Sequence, residues 1–156
     1  MKTLILSLIL LLAFYGCDLT DNSSDNSTTT HKTIISDGIE YTLDISKNNY
    51  SLDDTLAISF KVKNYSTLPR EYNFSNVQQL SYQVIDQNNK VVTYYPFIVS
   101  PALSHFTLEP GEMKELNHIG FFKDHNGNYI NRGIYSLAVF LADNNSPKLK
   151  LQISVY

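Results

Sequence analysis

Leu56-Ala57-Ile58-Ser59-Phe60-Lys61-Val62-Lys63 decides the fold. Large apolar residues occupy every even position, and small or charged ones every odd position. Successive side chains of an extended chain point to opposite faces, whereas a helix needs an apolar period near 3.6. A period of two therefore means a strand with one buried face. Upstream, Lys47-Asn48-Asn49 separates it from a second alternation, Ile39, Tyr41, Leu43 and Ile45 against Glu40, Thr42, Asp44 and Ser46. Downstream, Asn64-Tyr65-Ser66-Thr67-Leu68-Pro69 breaks the pattern, Glu71-Tyr72-Asn73-Phe74 makes a short strand, and Leu80, Tyr82 and Val84 alternate again. Asp86-Gln87-Asn88-Asn89-Lys90 has the residues of a hairpin turn and leads into Val91-Val92-Thr93-Tyr94-Tyr95.

The same texture continues to the C-terminus. Pro96 to Ser104 is irregular, with prolines limiting ladder pairing. Phe106 and Leu108 precede the turn Leu108-Glu109-Pro110-Gly111-Glu112, and a strand follows near Met113–Asn117. Phe121 to Asn131 reads as a polar loop. Ile134 to Ala142 is apolar on both faces and so predicts a central strand. Leu149, Leu151, Ile153 and Val155 close the domain. The expectation over residues 34–156 is all-β: an immunoglobulin-like antiparallel β-sandwich of about seven to nine short strands.

The N-terminus has another character. Lys2 precedes an apolar run from Leu4 to Phe14, which ends in Tyr15-Gly16-Cys17. Such a run is shorter than the roughly 20 helical residues that cross a bilayer, and suits a signal peptide. Phe14-Tyr15-Gly16-Cys17 resembles a bacterial lipobox, in which the cysteine is lipidated and becomes the mature N-terminus. Cys17 is the chain's single cysteine. The expectation is a lipoprotein signal over 1–16, and a lipidated Cys17 on a polar tether over 17–33 that contains almost nothing able to offset the entropy of ordering. Attachment would come from acyl chains, and no cofactor beyond that covalent lipid is implied. A net charge of −3 argues against nucleic acid as a partner. The location implied is the bacterial cell envelope, extracytoplasmic and membrane-anchored.

Four segments together resemble the family typified by the intracellular proteinase inhibitor BsuPI. Ile58-Ser59-Phe60-Lys61-Val62-Lys63-Asn64-Tyr65-Ser66 is similar to its "F-x-V-x-N-x-S/T" opening. Leu80 to Val92 stands where the family has a "Y-x-F-x-V-x-D-x-x-G/N-K-x-V" hairpin. Leu108-Glu109-Pro110-Gly111-Glu112 matches "L-x-P-G-E", and Gly133-Ile134-Tyr135 matches "G-x-Y". Thr93-Tyr94-Tyr95-Pro96-Phe97 departs from it, standing where tryptophan is common. The resemblance implies a binding domain that inhibits a serine protease. The competing class is a non-inhibitory interaction or assembly module of the envelope.

Catalytic patterns are not evident in the sequence, and the expectation is not an enzyme. His31, His105, His118 and His125 share no metal-ligand spacing and read as surface or loop residues. Asp124-His125-Asn126-Gly127-Asn128 hints at a calcium loop but lacks the later acidic ligand, so a plain turn is the simpler reading. Asn-x-Ser/Thr triplets begin at Asn22, Asn26, Asn64 and Asn73 and read as accidents of composition. Tyr135 reads as a fold-stabilising corner residue. Tyr94, Tyr95, Pro96, Phe97 and Ile98 are the candidate partner-binding residues, because aromatics beside proline on an irregular edge make an anchor. The other use of such rings is to fill the core.

Overall fold

The computed structural model describes residues 30–98, 101–143 and 145–156. The expected signal peptide, Cys17 and the tether as far as residue 29 lie outside them. Among the described residues all regular structure is strand: β1 (Thr30–Ser36), β2 (Ile39–Ile45), β3 (Asn49–Tyr50), β4 (Thr55–Asn64), β5 (Arg70–Phe74), β6 (Leu80–Ile85), β7 (Val91–Tyr95), β8 (Ser104–Leu108), β9 (Met113–Phe121), β10 (Gly133–Leu141) and β11 (Leu149–Val155).

One sheet has the order β1-β2-β4-β9 and a second β3-β11-β10-β6-β7, while β5 and β8 pair with each other. The chain is an all-β sandwich, as its periodicity predicts. Its pairs are antiparallel except β3 with β11, a two-residue parallel contact. The alternation that opened the reading holds in detail: Leu56, Ile58, Phe60 and Val62 of β4 are buried, and meet Leu43, Ile45 and Tyr41 of β2 and Leu137, Val139 and Val84 of the second sheet in one core. β10 lies between β11 and β6, the central place predicted, with Tyr135, Leu137, Val139 and Leu141 buried on one face while Ile134 on the other is 44% exposed. Among the described residues the buried core runs from Ile39 to Val155.

Two boundaries differ from the sequence texture. β1 is Thr30–Ser36, so residues 30–33, expected as the end of the tether, form the first four of its seven residues and pair with β2. Its polar outer face hides the signal that the turn supplies: Asp37 and Gly38 have φ of 52° and 74°, the two-residue turn that Asp-Gly favours. β9 runs to Phe121, four residues beyond the expected Asn117.

Two polar side chains fix the connections. Asn64 is fully buried. Its amide nitrogen donates to the carbonyls of Leu68 (2.8 Å) and Leu108 (2.9 Å), and its oxygen accepts from the backbone and hydroxyl of Ser66. These bonds tie β4 to the segment after it and to β8, which explains physically the Asn64-Tyr65-Ser66 signature, and they leave the amide no role as a glycan acceptor. Tyr135 donates its hydroxyl to the carbonyl of Asn131, the tyrosine-corner bond of immunoglobulin-like sandwiches.

Candidate functional site

β7 is the last strand of its sheet and β9 the last of the other, and no backbone ladder joins them. Side chains fill the seam between these two edges. Tyr95 pairs with Tyr82 across β6–β7, and their rings stack at 5.9 Å with 13° between planes. His118 points inward from β9, its ring centroid 3.8 Å from that of Tyr95 and 5.5 Å from that of Tyr82. His118 is therefore half-buried, not the surface or loop residue expected, and desolvation lowers its pKa. Burial pushes the Tyr82 phenol up to about 12. Gly120 makes room for it: a Cβ there would lie 2.5 Å from the Tyr82 hydroxyl.

The candidate residues 94–98 divide between the two uses that the sequence leaves open. Tyr95 belongs to the stack and Pro96 is half-buried. Tyr94 is 41% exposed, Phe97 44% and Ile98 85%, with the Tyr94 and Phe97 rings edge-to-face at 5.1 Å. The sequence did not identify the other half of the patch. Ile119 and Phe121, 63% and 56% exposed, stand on the outer face of β9 opposite Ala57 and Thr55 of β4. The signal was present: Lys114, Leu116, His118 and Gly120 alternate with Glu115, Asn117, Ile119 and Phe121, so the period of two continues past Asn117, with apolar residues on the solvent side. Together Tyr82, Tyr95, Phe97, His118 and Phe121 border a groove of about 410 Å³, with Lys123 and Asp124 at its rim.

Other expected positions lie elsewhere. Among the described residues no group of three or more His, Cys, Asp and Glu side chains gathers as a metal site. Asp124 Oδ1 accepts from the backbone amides of Asn126 and Asn128 at 2.9 Å each, and Gly127 has φ of 82°, so this carboxylate organises a turn. Those amides also lower the pKa of Asp124, that of Asn128 most. Asp86 holds the β6–β7 hairpin the same way, accepting from Asn88 and Lys90. His31 meets Asp44 Oδ1 through Nδ1 (2.6 Å) and the Thr33 hydroxyl through Nε2 (2.9 Å), while Lys61 donates to Asp44 Oδ2 (3.2 Å). Thr33 also bonds the Thr42 hydroxyl at 3.0 Å. This hydroxyl–imidazole–carboxylate chain runs across the open outer face of β1, β2 and β4, where it acts as a cross-strand ladder fixing β1.

By sequence the chain matches no family model, and no curated protein resembles it significantly. Among solved structures it is similar to part of a β-glucosidase from Listeria innocua in complex with isofagomine (14% identity, 82% of this chain and 16% of that one, TM-score 0.44). It is likewise similar to part of the alkylpurine DNA glycosylase AlkC of Pseudomonas fluorescens (10% identity, 76% and 30%, TM-score 0.49). A third is β-glucosidase 3B from Thermotoga neapolitana (20% identity, 81% and 16%, TM-score 0.43). The chain spans less than a third of each of these proteins.

Proposed function

We propose that this chain is a membrane-anchored, extracytoplasmic lipoprotein whose sandwich is a binding domain of the BsuPI, proteinase-inhibitor type. The observation that carries the binding reading is the exposed Phe97, Ile119 and Phe121 around one groove at the β7–β9 seam, with Tyr94 edge-to-face on Phe97. Contiguous apolar surface of this kind marks interaction sites, and aromatic anchors supply much of an interface's energy. The segment after β7 leaves a rigid sandwich, and preorganisation of that sort lowers the entropic cost of binding a protease. The lipid on Cys17 would hold the domain at the envelope. A specific observation favours the alternative, a non-inhibitory cell-envelope module: Ile119, Phe121 and Ala57 lie on paired strands β4 and β9 and not on a projecting loop.

The test is a titration of the chain from Asp18 onward, which keeps every described strand, against subtilisin-type and trypsin-type proteases. Saturable inhibition, lost in a Tyr94→Ala, Phe97→Ala, Ile98→Ala variant that keeps its circular dichroism, is the expected result. A folded chain without effect at micromolar concentration leaves the envelope module. Incorporation of labelled palmitate in a bacterial host, abolished by Cys17→Ser, tests the anchor separately.

A further inference from the structure

β9 has an open edge of unusual regularity. It pairs with β4 over nine consecutive positions, from Lys63↔Met113 to Thr55↔Phe121, with no register shift. On its other side no strand pairs with it among the described residues. Alternate backbone N–H and C=O groups of such an edge lack ladder partners and accept an added strand. The other edges of the two larger sheets are blunted, and β5 and β8 are five residues each. β7 has only five residues and its pairing with β6 shifts register at Val84/Ile85; β3 has two residues; and Lys32 of β1 reaches across to the carbonyl of Lys150.

Two grooves flank this edge on the seam side, and the Tyr95–His118 contact lies between them. The larger, about 410 Å³, meets β9 from His118 to Phe121 and is walled by rings. The smaller, about 210 Å³, meets β9 from Leu116 to His118 and is walled by Gln78, Gln79 and Asn117. Gln78 Oε1, itself shielded from solvent, accepts no hydrogen bond from any described residue, and Gln78, Gln79 and Asn117 give this groove amide-bearing walls. The grooves are offset along β9 by about two to three residues, the scale of the two-residue side-chain repeat of a strand.

We propose that the open edge of β9 takes an extended segment of a partner polypeptide as an added strand. A bulky apolar side chain enters the larger groove, and a hydroxyl- or amide-bearing side chain two residues away enters the smaller one. Main-chain bonds to β9 supply affinity and the two grooves supply selectivity. This rests on the reading of the sandwich as a binding domain, and names the chemistry of what it binds.

The probe is the blocked peptide Ac-Thr-Ser-Val-Phe-Val-Ser-Thr-NH2, whose symmetry presents serine two residues from phenylalanine in either strand direction. It is titrated into the 15N-labelled chain from Asp18 onward. Saturable shifts are expected at β9 amides and around Gln78, Tyr95 and Phe97. Replacing the peptide's phenylalanine by serine, or Phe97→Ser in the protein, should weaken binding about tenfold or more. Two N-methylated peptides complete the test, one blocked at the valine nitrogens and one at the serine and phenylalanine nitrogens. Only one set should matter, because alternate N–H groups face the neighbouring strand. Several results overturn the proposal: no saturable shifts at millimolar peptide, shifts confined to β1 or β7, or indifference to both methylations. Broadening of β9 signals that grows with protein concentration alone would replace the partner with a second copy. The inhibition titration contains no peptide, so the two readings fail separately: peptide binding without inhibition retires the inhibitor, and inhibition without shifts at β9 retires the added strand.

Discussion

The aromatic cluster between β5 and β8 and the one on the β7–β9 seam use the same residue types and reach different ends. In the first, Tyr72 stands directly opposite Phe106 in a paired ladder, so the rings fall on one side and stack at 4.7 Å, with Phe74 5.5 Å from Phe106. The Tyr72 and Tyr41 hydroxyls meet at 3.1 Å, and the Lys114 ammonium sits 4.6 Å over Phe106. All four rings are buried, and burial drives the Tyr72 phenol well above its ordinary range. On the seam the two strands belong to different sheets. Tyr82, Tyr95 and His118 bridge the gap but do not seal it, and Tyr94, Phe97, Ile119 and Phe121 remain in solvent. Backbone pairing determines whether an aromatic cluster becomes core or surface.

Phe106→Ala should break the sealed cluster. Emptying a ring-sized site costs about 3–5 kcal/mol, read as a lower urea midpoint at unchanged slope. A loss under about 1 kcal/mol would mean that the β5–β8 pair is not part of the cooperative core.

Gly120→Ala probes the seam. Its Cβ would press on the Tyr82 hydroxyl, and overpacking of this kind costs about 1–3 kcal/mol. The same change in a Tyr82→Phe background should cost less, because the atom that it strikes is gone. Equal costs in both backgrounds would show that Gly120 is needed for another reason.

Most of the fold was legible because the buried faces obey a period of two, as in β4 and β2, and because Asp86 and Pro110-Gly111 mark their turns. The places that were not legible share a cause. In β1 and the second half of β9 the apolar–polar alternation is weak or reversed: Ile35, Ile119 and Phe121 face solvent. Sequence alone read β9 as ending where its apolar residues change faces. His118 was missed for a related reason, since no spacing rule places one imidazole against two tyrosines brought in from another sheet. Tyr95 and Phe97 are two residues apart, yet one is stacked and one exposed, a division set by where β7 ends and not by residue type.

The pH response sharpens the same contrast. Burial lowers the pKa of His118, so below about 6.5 the unfolded chain binds a proton that the folded seam resists. Stability from this group is present above that pH and declines as the pH falls toward the folded-state value. The difference in unfolding free energy between the wild type and His118→Gln, measured from pH 7.5 to 5, should therefore shift against the wild type on acidification. A flat difference would mean that His118 is solvated in both states.

Phe97→Ser should have the smallest effect on folding. The side chain is already 44% exposed, and its ring contact is with Tyr94, itself exposed. Surface changes of this kind stay within about 0.5 kcal/mol. The same urea titration used for Phe106→Ala measures it, so the two clusters are compared on one scale. A loss above about 2 kcal/mol would place Phe97 in the core and remove the exposed cluster as an argument for a partner. A neutral result combined with lost inhibition or peptide binding would establish that this ring is kept at the surface for what it contacts outside the chain.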